Sequence, residues 1–132
     1  TPGKCVIRDD AVSIYPLLAQ SERLLCVSRI LYGGYGVQMK AVLERAIPIQ
    51  QPFIRLYQGE THHFQRNTTE KEAVIIACGR EGALSEEERA LFLRLTARNA
   101  KNLQWKTWRV LFPAEEDTEA VIRREVDAWP VS

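Results

Sequence analysis

Leu24-Leu25-Cys26-Val27-Ser28-Arg29-Ile30-Leu31-Tyr32-Gly33-Gly34-Tyr35-Gly36-Val37-Gln38-Met39-Lys40 decides how the rest of the chain is read. It opens as a short apolar run without clean alternation, the pattern of a strand covered on both faces. Three glycines within four positions follow, Gly33, Gly34 and Gly36, interleaved with Tyr32 and Tyr35. From Val37 to Arg45, apolar residues at Val37, Met39, Val42 and Leu43, then Ala46, have the spacing of a helix laid on a sheet. Strand, glycine-rich aromatic turn and helix outline the kind of crevice in which open α/β sheets hold ligands.

Glycine lets a backbone turn tightly and approach a flat ligand with no Cβ in the way, leaving amide N–H groups free to point at it. Tyr32 and Tyr35 can stack on an aromatic ring or simply cover an apolar edge. An ordinary tight turn produces the same pattern.

Downstream, Ala73 to Cys78 is an unbroken apolar run that reads as a second buried strand, and it too ends at a glycine-bearing turn, Gly79-Arg80-Glu81-Gly82. Ser85 with Glu86, Glu87 and Glu88 begins a helix by a capping box, with acidic residues in its first turn. That helix runs to about Asn102 and is expected to bury Ala90, Leu91, Leu93, Leu95 and Ala97 or their neighbours. Trp105 to Phe112 reads as a third strand, and Glu116 to Ala128 as a last amphipathic helix with Ala120, Val121, Ile122 and Val126 inward.

Between these elements, runs at 53–57 and 61–65 flank Gln58-Gly59-Glu60, which predicts a β-hairpin excursion. Upstream, Asp9 or Asp10 can cap a helix to Gln20 with Val12, Tyr15, Leu18 and Ala19 inward, which Pro16 should kink or restart. Helices alternating with strands are the rhythm of βαβ crossovers, so the fold class is α/β with a parallel sheet, in a single domain over 1–132.

The 132 residues suffice for one domain with a sizeable core. Hydrophobic residues make up 45% and the formal net charge is +1, so no concentrated basic field suggests a nucleic-acid or membrane partner. Cys5, Cys26 and Cys78 are odd in number and widely spaced, which points to a reducing, cytoplasmic setting rather than a disulfide framework. No CxxC or other metal-ligand spacing is present.

Several motifs now stand in a definite order. Thr1-Pro2-Gly3-Lys4-Cys5-Val6-Ile7-Arg8-Asp9-Asp10, the Ser28 turn with Tyr32-Gly33-Gly34-Tyr35 and Lys40, Pro52-Phe53, Gly59-Glu60-Thr61-His62-His63 with Arg66, and Asn99 to Asn102 follow one another along the chain. Together they resemble the flavodoxin-like NAD(P)H-dependent FMN reductases through most of its length.

The resemblance implies a flavodoxin-like sheet of strand order 2-1-3-4-5, with FMN at the crevice between the first and third strands. On that map 24–30 is the third strand, 74–78 the fourth and 108–112 the fifth. Ser28, Arg29, Tyr32, Gly33, Gly34, Tyr35 and Gly36 would line one side of the isoalloxazine ring, and Cys78, Gly79 and Arg80 the other. NAD(P)H would be the co-substrate and a quinone or similar acceptor the electron sink. No residue is assigned an acid–base role, because in such enzymes the flavin carries the chemistry.

The chain departs from that pattern at its start, where relatives have a strand and a Gly-Ser-Pro-Arg-like phosphate loop. Arg29 stands where many relatives carry proline, and Glu44 where an aspartate is expected. The chain opens without methionine, and the expectation is an N-terminally shortened domain whose third strand has an open edge. A homodimer or higher homo-oligomer, or a separate N-terminal piece, would cover it. The rival readings are an interaction or assembly module that has lost FMN, and the C-terminal piece of a split reductase.

Histidine side chains suit acid–base roles, but His62 and His63 are neighbours on a strand, face opposite ways and cannot form a compact pair. They read either as part of a hairpin packed on a neighbouring subunit or as the rim of a substrate entrance.

Overall fold

The structure, a computed structural model, describes residues 6–79, 84–113 and 117–129. Its centre is a four-stranded sheet in the order β2-β1-β5-β6, comprising β1 (Arg23–Leu31), β2 (Gly34–Tyr35), β5 (Glu72–Cys78) and β6 (Thr107–Leu111). β5 lies parallel between β1 and β6, in register from Arg23↔Glu72 to Arg29↔Cys78 on one side and from Glu72↔Thr107 to Ile76↔Leu111 on the other. The fold is therefore α/β with a mostly parallel sheet flanked by helices, as the alternation of elements predicts.

β5 is central because both its faces are apolar: Ala73, Val74, Ile75, Ile76 and Ala77 are all buried. The expectation that the strand before the glycines is covered on both faces is corrected. Cys26, Ser28 and Ile30 point into the core, whereas Val27, Arg29 and Leu31 are exposed, so β1 is covered on one face only. Alternating residues of a strand face opposite ways, and helix packing reaches only the first set.

α3 (Glu86–Asn102) connects β5 to β6 and carries the predicted capping box, Ser85 Oγ accepting from the Glu88 amide and the Glu88 carboxylate accepting from the Ser85 amide. Its buried stripe is Phe92, Thr96 and Ala100, with Leu95 and Leu103 packed beside it. The predicted stripe is out of phase, since Ala90, Leu91, Leu93 and Ala97 lie on exposed positions. Phe92 sits at the centre of the core, edge-on to Tyr35 at 4.8 Å and to Phe112 at 6.3 Å.

Two further corrections concern helices. α1 (Ala11–Gln20) does not restart at Pro16, which lies inside one continuous helix. Only one intrahelical bond is lost there, and packing of Tyr15 with Ala46 and Ile49 holds the helix. In α4 (Thr118–Asp127) Val121 is buried as predicted, but its buried neighbour is Glu125 rather than Val126, the carboxylate being paired with Arg109.

The hairpin is present as β3 (Gln50–Tyr57) and β4 (Glu60–Gln65), paired antiparallel. Its turn residues, Gln58 at φ 49° and Gly59 at φ 78°, both take the positive values that a two-residue hairpin turn requires. A two-stranded ribbon is marginal in water by itself. This one is tied to α3 by Glu60 to Arg98 and Lys101 and by the Gln50 and Gln65 amides donating to the Asn102 carbonyl, and to the turn just after α3 by Arg55 to Gln104. Among the described residues no helix is long and apolar enough to cross a membrane.

Candidate functional site

The parallel pairing of β1 and β5 puts their carboxyl ends side by side, Arg29 opposite Cys78. The tyrosine-bearing turn after β1 and the described Gly79 after β5 therefore stand at the same end of the sheet, the end where open α/β sheets hold ligands. Arg29 is exposed and makes no ion pair among the described residues. Gly79 is exposed beyond Cys78, while Arg80, predicted to approach from this side, lies outside the described residues.

The turn after β1 is a tight hairpin. Tyr32 (φ 53°) and Gly33 (φ 74°) are its two central residues, and Leu31↔Gly34 and Ile30↔Tyr35 pair behind them. The Tyr32 and Gly33 amides have no backbone acceptor among the described residues, and the Tyr32 side chain is 95% exposed. Gly33 is buried against Leu91 of α3, so close that a Cβ would lie 2.4 Å from Leu91 Cδ2.

Ser28 and Gly36 lock the base of this turn. The Gly36 amide donates to the Arg29 carbonyl at 2.7 Å and to Ser28 Oγ at 3.1 Å, and the Ser28 hydroxyl donates to the Arg29 carbonyl. Gly36 is then the residue before α2 (Val37–Arg45). Of the two tyrosines, only Tyr32 presents its ring to solvent. Tyr35 is 7% exposed, its ring on Phe92 and its hydroxyl 3.3 Å from Thr96 Oγ1, with burial pushing its ionisation up.

Cys5 lies outside the described residues, and of the other two cysteines Cys26 is buried and Cys78 half-buried. Cys26 is buried beside the α3 layer, and desolvation pushes its thiol up to about 11. Cys78 Sγ lies 3.7 Å from Thr118 Oγ1, so its side chain is turned toward α4. No group of three or more metal-ligating side chains occurs among the described residues.

No family model matches the chain, and no curated protein matches it.

A second site is a cavity of about 700 Å³ between α2, α3 and the hairpin. Leu43, Leu95 and Leu103 give it apolar walls, and Asn99, His62 and His63 give it polar ones. The alternation argument places the two histidines correctly on opposite faces of β4, His62 buried and His63 exposed. The cavity is nevertheless wide enough for both to line it.

Glu60 anchors this region. Hydrogen bonds from Arg98, then Lys101, hold its carboxyl down to about 2, and its Oε2 accepts from His62 Nε2 at 3.2 Å. Neither the hub at Glu60 nor the cavity is foreseen from the sequence. The adjacent histidines and the i, i+3 pair Asn99 and Asn102 are its only signals there, and what joins them is the docking of the hairpin on α3.

Proposed function

We propose that this chain is a flavodoxin-like, FMN-dependent NAD(P)H oxidoreductase of the flavin reductase type, acting in the cytoplasm as a homo-oligomer. The single observation that carries the reading is the register of Arg29 with Cys78, which brings the carboxyl ends of β1 and β5 side by side. In this reading the parallel strands β1, β5 and β6 correspond to strands three, four and five of the 2-1-3-4-5 order.

The residues at this edge fit the ring end of the cofactor. Tyr32 offers an exposed aromatic face, and the Tyr32 and Gly33 amides are donors without an intrachain backbone acceptor among the described residues. Arg29 supplies a cation free of ion pairs among the described residues, suited to offset charge on a reduced ring. Ser28 and Gly36 spend their polar groups on each other and on Arg29, so their role is to hold the turn in shape. Gly33 and Gly34 form that turn, Tyr35 anchors it to α3, and Cys78 stands opposite Arg29 with Gly79 following it. Bound FMN supplies hydride acceptance from NAD(P)H and electron transfer to a quinone or similar acceptor.

The test is incubation of the purified chain with FMN, removal of free flavin, and a visible absorption spectrum. A yellow protein whose colour bleaches with NADH or NADPH is expected; a colourless one ends the reading. Tyr32→Ala and Arg29→Ala should each weaken flavin retention, whereas Ile54→Ser on the hairpin should not.

A second reading, a flavin-free assembly module, is favoured by the outer edge of β1 and by Phe53, Ile54 and Leu56 at 70%, 61% and 77% exposure. It predicts self-association of a colourless protein, which sedimentation together with the spectrum distinguishes from a flavin-loaded oligomer.

A further inference from the structure

The cavity beneath the hairpin has a donor and acceptor balance that selects a ligand. His63 Nδ1 lies 2.9 Å from the Gln51 carbonyl, and a carbonyl only accepts, so Nδ1 carries the proton. His62 Nε2 faces the Glu60 carboxylate, which stays ionised at neutral pH, so there Nε2 carries it. In the neutral rings, His62 Nδ1 and His63 Nε2 are then the remaining lone pairs, and neither has a partner among the described hydrogen bonds.

Among the described residues, the only charged side chains lining the cavity with its neutral imidazoles are Lys40 and Glu44, and these two pair with each other at 3.5 Å. An ionic ligand gains nothing there. The volume lies within the range of small-molecule sites, and Leu43 of α2 and Leu95 of α3 provide apolar surface for a flat body.

We propose that this cavity binds a neutral aromatic molecule bearing two or more hydroxyl groups, its O–H donors directed to the imidazoles of His62 and His63 and its ring held between Leu43 and Leu95. The Asn99 amide, which also hydrogen-bonds the Tyr35 hydroxyl, has donor and acceptor capacity left to serve a further hydroxyl. A site built to accept hydrogen bonds discriminates strongly against an analogue that cannot donate them, because its polar groups are then left unpaired. The assignment does not depend on flavin, and it stands whether or not the chain turns yellow.

The probes are resorcinol and its matched non-donor, 1,3-dimethoxybenzene, titrated calorimetrically into the full chain at about pH 8, above the usual histidine range. Saturable resorcinol binding at least about tenfold tighter than the dimethyl ether is expected, about 1.4 kcal/mol. His63→Leu, at an exposed position, should erase most of that preference. Leu95→Trp should abolish binding of both; if circular dichroism shows it unfolded, Leu43→Phe takes its place. Equal affinities, no resorcinol binding, or a preference that survives His63→Leu and Asn99→Leu together would each overturn the assignment.

Discussion

Arg98 grips Glu60 with both arms of its guanidinium, Nη1 on Oε1 and Nη2 on Oε2, each at 2.9 Å. Lys101 adds a third cationic contact from the next turn of α3, and its Nζ also donates to the Gln58 carbonyl in the hairpin turn. One carboxylate thus joins the hairpin to the longest helix described.

The first prediction concerns acid. Glu60 titrates at about 2 when folded, against an ordinary value of 4.5, because Arg98 and Lys101 favour its ionised form. The sign follows from linkage: the unfolded chain binds the proton more readily, so the contribution is complete above 4.5 and disappears as pH falls toward 2. Urea denaturation as a function of pH should show a steeper acid decline for the wild type than for Glu60→Gln. Parallel curves would contradict this.

Gly33 and Gly59 both hold positive φ, at 74° and 78°, but their surroundings differ. A Cβ at Gly59 meets nothing within 4 Å, whereas at Gly33 it would displace Leu91. Gly59→Ala should cost about 1 kcal/mol from the backbone alone, and Gly33→Ala about 2 kcal/mol. Adding Leu91→Ala should remove the excess at Gly33, a coupling that a double-mutant cycle reads directly.

Glu125 is buried and its partner Arg109 half-exposed. Removing the guanidinium strands the carboxylate out of water, so Arg109→Gln should destabilise by about 1–2 kcal/mol, below the cost for a fully buried pair. Glu125→Gln in the same background should recover part of the loss. Chemical denaturation midpoints at neutral pH check both.

Tyr35→Phe removes the hydroxyl that meets Thr96 and leaves Thr96 Oγ1 buried without it, at a cost of about 1 kcal/mol. Thr96→Val, nearly isosteric, should restore part of that stability when combined with Tyr35→Phe, since the Tyr35–Thr96 contact is then apolar on both sides and the half-buried Asn99 amide, which also bonds the Tyr35 hydroxyl, can turn to water. Thermal or urea unfolding of the two single variants and the double variant reads the recovery.

What the sequence revealed and what it hid follow from packing. Ala73 to Cys78 is legible because its apolar run includes the β-branched Val74, Ile75 and Ile76 and ends at a glycine, which favours a short strand buried on both faces. The hairpin is legible from Gln58-Gly59 between two strand-like runs. The face of α3 is not, since Ala90-Leu91-Phe92-Leu93 is apolar all round and its inward residue, two positions before Arg94, is set only by where the sheet lies. Thr96 and Glu125 are buried polar residues, and a pattern of hydrophobicity cannot announce them.

At the candidate site, the glycine and tyrosine cluster marks the right end of β1, because strand ends beside a parallel neighbour are set by local sequence. The separate roles of its members are a tertiary matter. Tyr32 faces solvent and Tyr35 the core because α3 crosses one side of the turn only. The cavity under the hairpin depends on residues about forty positions apart meeting through Glu60 and Arg98.

Since the Arg29 carbonyl accepts from Gly36 on the side away from β5, the backbone polar groups of Leu25 and Val27 face that same side, where no strand partner lies among the described residues. Those of Cys26 and Ser28 face β5. In deuterated water β1 should therefore show a two-beat rhythm, Leu25 and Val27 losing their protons quickly and Cys26 and Ser28 slowly. Any covering of that flank would silence the fast beat, which makes these two amides a residue-level gauge of company along the strand.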